Sequence, residues 1–308
     1  MIDLDFPSAK IICHSKAPNG EELITMEIEL HRFILPEFNT HRSFSRNFQS
    51  SRAVPVEKMI EQVRNNPAMP VHWGKNQAGM VADLELDELV YDDKGNGFLV
   101  EGWWRSAAKS AANYAEAMSK AGYHKQLVNR ILEPYMKTKG VVTTTKDAFE
   151  AFFKLRCHFA AQPEIKLLAE RMQKALNESI PNELNYGEYH LPYIHSDLFA
   201  NREEAKVVGK FLPIKDAVKV SCSCTAQISY RRLDDSLDKA LKVYGMLNLP
   251  VNGVYPEDPP HYSPTEHVAK VMEDYKHESF MSGNFHSGTF WQYRKALEMG
   301  LEDKFLEE

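Results

Sequence analysis

The 308-residue chain contains few cysteines and no long apolar run. Its four cysteines, Cys13, Cys157, Cys222 and Cys224, have neither the number nor the spacing of a disulfide framework or of a paired CxxC zinc site. No stretch approaches the ~18 apolar residues of a membrane span, and the first residues lack the basic start and apolar run of a signal peptide. These absences predict a cytoplasmic protein with no membrane partner.

An excess of basic charge is also absent, because 37 Lys and Arg stand against 43 Asp and Glu, for a net charge of −6. A general nucleic-acid binder neutralises phosphates with surplus positive charge. We therefore expect no DNA partner. Scattered histidines such as His72, His124, His190 and His195 do not form the closely spaced pairs that a preformed metal site uses, so we predict no metal.

The distribution of apolar residues predicts both strands and helices. Residues 10–35 have the pattern of a β-hairpin, because apolar side chains alternate after the turn at Pro18-Asn19-Gly20. Residues 36–56 are rich in Ser, Arg and Asn and are predicted to be an irregular functional loop. We predict helices over 102–122, 125–136, 146–161, 163–176 and 234–247, a short strand over 218–221 and a loop over 248–262. The class is therefore mixed α and β.

One arginine stands out in the helix predicted over 146–161. Phe149, Phe152 and Phe153 share a stripe at helical spacing, and Arg156 falls on that stripe. A guanidinium on an apolar face must find an anion or line a cleft. Arg156 is therefore a candidate functional residue.

A second candidate is the loop Thr40-His41-Arg42-Ser43-Phe44-Ser45-Arg46-Asn47-Phe48-Gln49-Ser50-Ser51-Arg52. Guanidinium groups bind phosphate bidentately, and hydroxyls and free backbone amides complete such a site, so the loop suits a nucleotide. An exposed, solvated basic loop is the alternative, and composition alone does not separate the two.

The order of the loop residues resembles the signature of flavin-dependent thymidylate synthases, Arg-His-Arg followed by seven residues and a serine. The residues in register are His41, Arg42, Ser45, Asn47, Ser50 and Arg52, with Thr40 replacing the first arginine. Downstream, residues 129–134 resemble the family's Arg-Ile-x-x-Pro element, with Arg130 as its arginine. Residues 152–165 resemble the helix that carries its catalytic arginine, here Arg156.

Two further elements resemble the family but follow these instead of preceding them. Val218–Ser221 is similar to its N-terminal Arg-Val-Ser strand, and His261–His267 to its flavin-binding His-x-Thr-Pro-x-Glu-His element. Ser263-Pro264-Thr265-Glu266 also predicts a capping box at a helix start. The chain thus resembles a circularly permuted member.

The implied architecture is one α+β domain, 1–308, with an antiparallel or mixed sheet flanked by helices. Residues 1–178 would form the nucleotide-binding and catalytic half, 179–215 a connection and 216–308 the flavin-binding half. The stretches 66–100 and 180–215 have no counterpart in the family, and we expect them near the surface or at a subunit contact.

The resemblance implies reductive methylation of dUMP to dTMP, with FAD as cofactor and NADPH and methylenetetrahydrofolate as co-substrates, in a homotetramer. Arg156 would stabilise negative charge on the pyrimidine, and Cys157 is interpreted as a packing residue and not as a nucleophile. The implied substrate contacts are Ser50, Ser51, Arg52 and Arg130. The implied FAD contacts are Thr40, His41, Arg42, Asn47, Gln162, Ser221, His261 and Ser263.

Departures from the family pattern leave the substrate open. Glu37 stands where the family has a glutamine facing the pyrimidine, and Gln292 with Arg294 could supply the missing groups from elsewhere in the chain. A carboxylate near the base prefers a donor, so a cytidine nucleotide such as dCMP, methylated or hydroxymethylated, is one alternative. Thr40 and Ala151, which replaces an asparagine, leave a second alternative, a catalytically silent nucleotide- or RNA-binding protein.

Overall fold

The computed structural model describes residues 5–194, 204–207, 210–229, 237–251, 253–273 and 279–307. The strands are β1 Ser8–Lys16, β2 Glu22–His31, β3 Ser45–Phe48, β4 Val90–Tyr91, β5 Gly97–Phe98, β6 Lys137–Thr145, β7 Asn182–Glu183, β8 Tyr189–His190, β9 Glu204–Val207, β10 Lys210–Pro213, β11 Ala269–Val271 and β12 Phe290–Gln292. The α-helices are α1 Leu35–Phe38, α2 Val56–Asn65, α3 Val100–Lys120, α4 Lys125–Val128, α5 Lys146–Arg156, α6 Pro163–Asn177, α7 Ile214–Ala226, α8 Leu237–Gly245, α9 Tyr293–Glu298 and α10 Glu302–Leu306. This content confirms the α+β class.

The larger sheet has five strands in the order β3-β6-β2-β1-β7. β1 and β2 pair antiparallel from Ser8 opposite Glu29 to Lys16 opposite Glu22, which confirms the predicted hairpin. β6 lies between β2 and β3 and pairs antiparallel with both. Residues 40–52 are called the arginine loop below, and β3 is its regular part. The central position of β6 holds β3 at the edge of the sheet.

Helices α5 and α6 cover one face of the larger sheet. Phe149 and Phe152 of α5 and Leu168 and Met172 of α6 are at most 2% exposed and belong to one core cluster with Ile24, Met26 and Ile28 of β2. Full burial of such side chains is worth about 1.5–3 kcal/mol each, so this packing fixes α5 firmly. The last residue of α5, Arg156, is therefore held at the rim of the core.

A smaller sheet, in the order β12-β11-β8, packs with the C-terminal helices. Its core contains Val218 of α7, Trp291 of β12, Tyr293 of α9 and Phe305 of α10, each fully buried. The two sheets meet at β12, where the Gln292 amide donates a hydrogen bond to the Ser45 hydroxyl of β3 at 3.2 Å. The C-terminal part of the chain thus contacts the arginine loop directly.

The two stretches without a family counterpart differ in burial. Within the stretch 66–100, residues 73–99 are mostly exposed and contain the β4-β5 hairpin, as expected of a surface segment, whereas Pro67 and Ala68 at its start are buried. The expectation for 180–215 is wrong in part, because Tyr189, His190 and Leu191 are at most 5% exposed. β8 pairs with β11, so this segment contributes to the interior of the smaller sheet.

The strand predicted over 218–221 is wrong, because these residues lie within helix α7. The buried positions Ile214, Ala217, Val218, Ser221, Cys222 and Thr225 recur every three or four residues, which is the helical period. Two valines two residues apart are too short a signal to separate the periods. Because the segment is a helix, Cys222 and Cys224 point in different directions. Cys222 is buried, and Cys224 is half-buried.

The other predicted helices form with shifted ends. α3 begins and ends two residues early, and the helix predicted over 125–136 is α4 followed by the 3-10 helix Asn129–Tyr135. α5 ends at Arg156 and not at 161, because Gln162 must adopt an extended conformation to cap α6. The helix expected from residue 234 is α8, whose predicted first three residues lie outside the described ranges. No helix in the described ranges is both long and apolar enough to cross a membrane.

Candidate functional site

The arginine loop runs between two parts of the fold. α1 leads into it, β3 anchors its middle on β6, and residues 51–54 lead to α2. The segment is therefore less irregular than predicted, because a short helix and an edge strand bracket its motif residues. The turn between α1 and β3 is tied together by Arg46, which donates to the carbonyl oxygens of Asn39 at 2.6 Å and His41 at 3.2 Å.

Arg156 and His41 meet at the centre of the site. The Arg156 Nε–H group donates to His41 Nε2 at 2.9 Å, although the two residues are 115 positions apart. The His41 ring packs edge-on against Phe152, with ring centroids 4.8 Å apart. Burial, followed by the nearby charges of Arg156 and Arg46, lowers the pKa of His41 to about 4. The imidazole is therefore neutral near pH 7 and can accept the guanidinium hydrogen bond.

Thr40, which replaces the family's first arginine, lies beside the same guanidinium. Its hydroxyl donates to the Glu37 carbonyl oxygen at 2.7 Å and lies 3.5 Å from Arg156 Nη2. Glu37 itself is exposed at the end of α1. The structure thus gathers Arg156, His41, Thr40 and Glu37 within one small region.

The turn that contains the predicted substrate contacts Ser50, Ser51 and Arg52 is stabilised by the side chain of a residue that sequence reasoning missed. The fully buried Asn129 donates from Nδ2 to the carbonyl oxygen of Ser51 at 2.6 Å and to that of Val54 at 3.4 Å. Arg52 is exposed, and its backbone N–H donates to the Ser50 hydroxyl at 3.3 Å. Asn129 begins the stretch that resembles the Arg-Ile-x-x-Pro element, and its position immediately before Arg130 is the sequence signal that could have identified it.

Arg130 lines a cleft of about 420 Å³ on one side of the loop. Arg32, Phe33, Asn39 and Glu133 also line it, and Glu133 lies 3.8 Å from Arg32, so Arg130 is the guanidinium of this cleft without a carboxylate partner in its lining. Such a set can hold an anion beside a flat apolar group.

A second cleft, of about 500 Å³, lies on the C-terminal side of the loop. Its charged lining consists of Arg42, Arg46, Glu266, Arg294 and Lys295. Cations outnumber acids there, which favours an anionic ligand. Gln292 also lines this cleft, although its amide nitrogen lies within hydrogen-bond distance of Ser45, Asn284 and the Glu266 carbonyl oxygen.

The predicted capping box at 263–266 is wrong. Ser263–His267 is a 3-10 helix without a side-chain cap; the Ser263 hydroxyl donates instead to Asn47 Oδ1 at 3.3 Å, and Glu266 pairs with Arg294. Asn47 also donates to the Thr225 carbonyl oxygen at 2.7 Å. The first residue of the predicted flavin element, His261, is exposed. These contacts bring Ser263 to the arginine loop across 216 residues of sequence.

Two predicted cofactor contacts have structural partners within the chain. The buried Ser221 hydroxyl donates to the Pro192 carbonyl oxygen at 2.7 Å. The Gln162 side chain accepts from the Ile165 N–H at 3.1 Å and so caps α6. Their roles toward a cofactor remain predictions.

Sequence reasoning also passed over Arg46 and Asn284. Arg46 was visible as the second of the three arginines of the loop, four residues after Arg42. Asn284 donates to the Ser43 carbonyl oxygen at 3.1 Å and accepts from Ser45 at 3.0 Å. No sequence signal distinguishes it, because the contact spans more than 230 residues.

The surroundings of the cysteines and histidines bear on two other kinds of chemistry, a cysteine nucleophile and a metal site. Burial raises the pKa of the Cys157 thiol, which disfavours the thiolate that a nucleophile needs. Across the described ranges, no three His, Cys, Asp or Glu side chains gather in a metal-binding arrangement, and His195 lies outside those ranges.

Comparisons with known proteins bear on the same part of the chain. A family model described as thymidylate synthase complementing protein, Thy1, matches residues 21–182, just over half of the sequence. No curated protein sequence matches the chain. The order of the later motifs lies beyond the matched residues, so the circular permutation remains a prediction.

Two kinds of solved structure are similar over part of the chain. One is the flavin-dependent thymidylate synthase ThyX from Helicobacter pylori complexed with FAD and dUMP, with 23% identity over 50% of this chain and 67% of that chain, at a TM-score of 0.34. Another is the UMP/dUMP methylase PolB from Streptomyces cacaoi bound with 5-Br UMP, with 19% identity over 51% of this chain and 69% of that chain, at a TM-score of 0.39. The family match over residues 21–182 shows that this chain belongs to the thymidylate synthase complementing protein family.

Proposed function

We propose that the protein is a flavin-dependent thymidylate synthase that methylates dUMP at C5. The observation that carries the proposal is the hydrogen bond from Arg156 to a neutral His41. Both residues lie within the segment 21–182 that the family model matches. A guanidinium fixed in this way is an oriented positive charge with free N–H donors. Methylation at C5 requires such a charge, because the pyrimidine must carry negative charge as C5 becomes nucleophilic.

Arg156 would act on the N3–O2 edge of the base. Its Nε–H is committed to His41, and its Nη groups remain to meet the developing negative charge. Preorganised donors of this kind are typically worth 10²–10³ in turnover.

The nucleotide phosphate would bind at Ser50, Ser51 and Arg52, with Arg130 as a further cation. Asn129 supports the turn by engaging two of its carbonyl oxygens, which directs the hydroxyls and the exposed guanidinium outward. Bidentate arginine contacts to phosphate supply both affinity and orientation.

The residues of the C-terminal cleft fit FAD in charge, because Arg42, Arg46 and Arg294 outnumber the acid Glu266 and suit a diphosphate. His41, Asn47, Ser263 and His261 would complete the contacts, together with Thr40, Gln162 and Ser221. When bound, FAD supplies the redox chemistry, with NADPH as reductant and methylenetetrahydrofolate as the source of the one-carbon unit.

We extend the proposal to the organisation of the chain, with one domain over 1–308 and a homotetramer. The hydrogen bonds from Gln292 to Ser45 and from Ser263 to Asn47 support a single unit, because both join the C-terminal part to the arginine loop. The nucleotide and catalytic half would be 1–178, the connection 179–215 and the flavin half 216–308.

A cytidine nucleotide is the second candidate substrate, and Glu37 favours it. In the described part of the chain the Glu37 carboxylate makes no hydrogen bond, and its carbonyl oxygen anchors Thr40 beside Arg156. A free carboxylate near the base would accept a hydrogen bond from a C4 amino group.

Tritium release from C5 separates the two substrates. The protein, with FAD, NADPH and methylenetetrahydrofolate, is given C5-tritiated dUMP or dCMP. The proposal predicts release from dUMP. Release from dCMP alone would replace the substrate, and release from neither nucleotide would favour the catalytically silent nucleotide-binding alternative.

A further inference from the structure

A cavity of about 550 Å³ lies along α5, lined by Lys146 at the start of the helix and by Glu150 and Lys154 further along it. It shares no lining residue with the two clefts beside the arginine loop. None of its lining residues is among those proposed to contact the nucleotide or flavin, so the cavity is distinct from that site.

Four side chains in this cavity form a continuous hydrogen-bonded row. His14 Nδ1 lies 2.9 Å from the Ser179 hydroxyl, and His14 Nε2 lies 3.0 Å from Glu22 Oε2. The other oxygen of Glu22 accepts from Lys146 Nζ at 3.0 Å. These residues come from β1, from the start of β2, from the start of α5 and from the segment after α6.

The charge of Glu22 determines which nitrogen of His14 carries the proton. Hydrogen bonds from Lys146 and His14 lower the pKa of Glu22 against an opposing effect of burial, so the group is a carboxylate and accepts only. His14 must therefore carry its proton on Nε2, which leaves the Nδ1 lone pair to accept the Ser179 O–H. A serine whose proton is held by an imidazole, which a carboxylate orients in turn, is the arrangement of an activated nucleophile.

The surroundings of His14 favour its neutral form, which is the form that can accept a proton. His14 is 5% exposed, and burial lowers its pKa, opposed by Glu22. Lys146 adds to the lowering, and Glu150 and Lys154 of α5 also face the cavity. Phe153, Leu176 and Pro181 are the apolar side chains that line the same cavity as Ser179.

We propose that Ser179 and His14 form a second reactive site, which accepts an acyl group from a small carboxylic ester, with Glu22 as the positioning residue. The Ser179 oxygen adds to the ester carbonyl carbon while its proton passes to His14 Nδ1. The ester C–O bond then breaks, and the alcohol leaves with that proton. Water, deprotonated by the same nitrogen, adds to the acyl-serine and releases the acid and Ser179. Lys146 and Asn177, which line the cavity, are the donors available to the carbonyl oxygen.

A fluorophosphonate probe tests the proposal on the full-length protein. The probe phosphonylates activated serines and leaves ordinary ones unmodified, so mass spectrometry of the digested wild type should find the adduct on Ser179. Ser179→Ala should abolish labelling, whereas Ser106→Ala, at an exposed serine of α3, should leave it unchanged. An unlabelled wild type, or label that persists in Ser179→Ala, would overturn the proposal.

The pH dependence of labelling separates a reactive row from a structural one. The labelling rate should rise with pH to a plateau as His14 loses its proton, with a midpoint below the ordinary 6.5. Glu22→Gln should lower that midpoint, because Glu22 raises the pKa of His14, and should slow labelling at least ~10-fold. A rate that does not depend on pH would contradict the role of His14. Tritium release from dUMP should be unchanged in Ser179→Ala, so the two proposals fail independently.

Discussion

At the scale of single residues, the orientation of Arg156 depends on a histidine that is unable to become charged near neutral pH. A protonated His41 would repel the guanidinium and lose its acceptor. The pKa of about 4 prevents this, because burial against Phe152 and the two neighbouring arginines all disfavour the charged ring. The Arg156 position was predictable from its apolar stripe, but its histidine partner was not, because the two lie 115 residues apart.

Replacing Arg156 by lysine tests whether orientation matters as well as charge. Arg156→Lys keeps the positive charge but loses the planar fork that joins His41 to the base. We expect the turnover of dUMP to fall at least ~10²-fold while the midpoint of thermal unfolding changes little, since the side chain is half-buried. Arg105→Lys, at an exposed position of α3, is the matched control. Equal turnover in the two variants would exclude the role proposed for Arg156.

Asn129 offers a second test at this scale. Asn129→Asp keeps the shape of the side chain but sets an oxygen against the Ser51 and Val54 carbonyl oxygens, in a fully buried place. We expect the free energy of unfolding to fall by at least about 1–3 kcal/mol, measured with urea, and the KM for the nucleotide to rise. Asn113→Asp, whose Oδ1 accepts from Arg64 on the surface, should cost nothing. Wild-type stability and KM in Asn129→Asp would show that the turn does not depend on this amide.

At the scale of elements, β3 is held at the sheet edge by close contact between two opposed residues. Gly140 of β6 pairs with Phe48, and the phenyl ring covers the place where a side chain would begin. A Cβ built at Gly140 would lie 2.3 Å from the ring, closer than real contacts allow. The glycine thus permits the ring to lie flat on β6 and keeps the arginine loop in position.

Gly140→Ala should therefore displace β3. We expect a loss of about 1–3 kcal/mol in the free energy of unfolding, together with weaker nucleotide binding, because the loop moves with the strand. Gly245→Ala is the matched control, since a Cβ there meets no atom within 4 Å and the residue lies in α8. A Gly140→Ala protein as stable as Gly245→Ala would mean that Phe48 moves away without cost.

The secondary-structure elements differ in how well the sequence predicted them. The β1-β2 hairpin and helices α3, α5 and α6 were predicted because their apolar residues repeat over many positions. The strand predicted over 218–221 rests on Val218 and Val220 alone, too few residues to show the helical period of α7, and the capping box failed because Glu266 has a stronger partner in Arg294. Within the site, local motifs identified the arginine loop, and Gln292 was proposed from the resemblance, whereas Asn284 reaches the loop only through the tertiary fold.

At the scale of the whole molecule, a buried row of polar side chains joins the two sheets. His190 contacts the hydroxyls of Ser15 and Thr25, each at 2.8 Å, Thr25 contacts Thr143 at 2.6 Å, and Thr143 contacts His267 Nδ1 at 2.8 Å. His190 is one of the histidines for which the sequence predicts no metal site, whereas His267 ends the segment that resembles the flavin-binding element; both rings are fully buried. Burial lowers the pKa of both His190 and His267 to about 3, so the folded protein holds them neutral.

This arrangement makes the protein sensitive to acid. Between pH 6.5 and pH 5 the unfolded chain gains protons on these histidines and the folded chain does not, so stability falls as the pH falls. Each histidine contributes a slope of up to about 1.4 kcal/mol per pH unit, measurable from urea unfolding curves. His267→Asn should reduce the slope, whereas His124→Asn, at an exposed ring, should not. A flat profile in the wild type would contradict the buried neutral state.

The central claim concerns flavin chemistry, and the visible absorption spectrum of the protein incubated with FAD tests it most directly. After removal of free flavin, the protein should retain the flavin bands, and NADPH should bleach them without oxygen, faster when dUMP is present. That result would support flavin chemistry coupled to nucleotide binding around Arg156 and the arginine loop. A colourless protein that takes up no added FAD would contradict the account and leave the loop as a nucleotide-binding surface only.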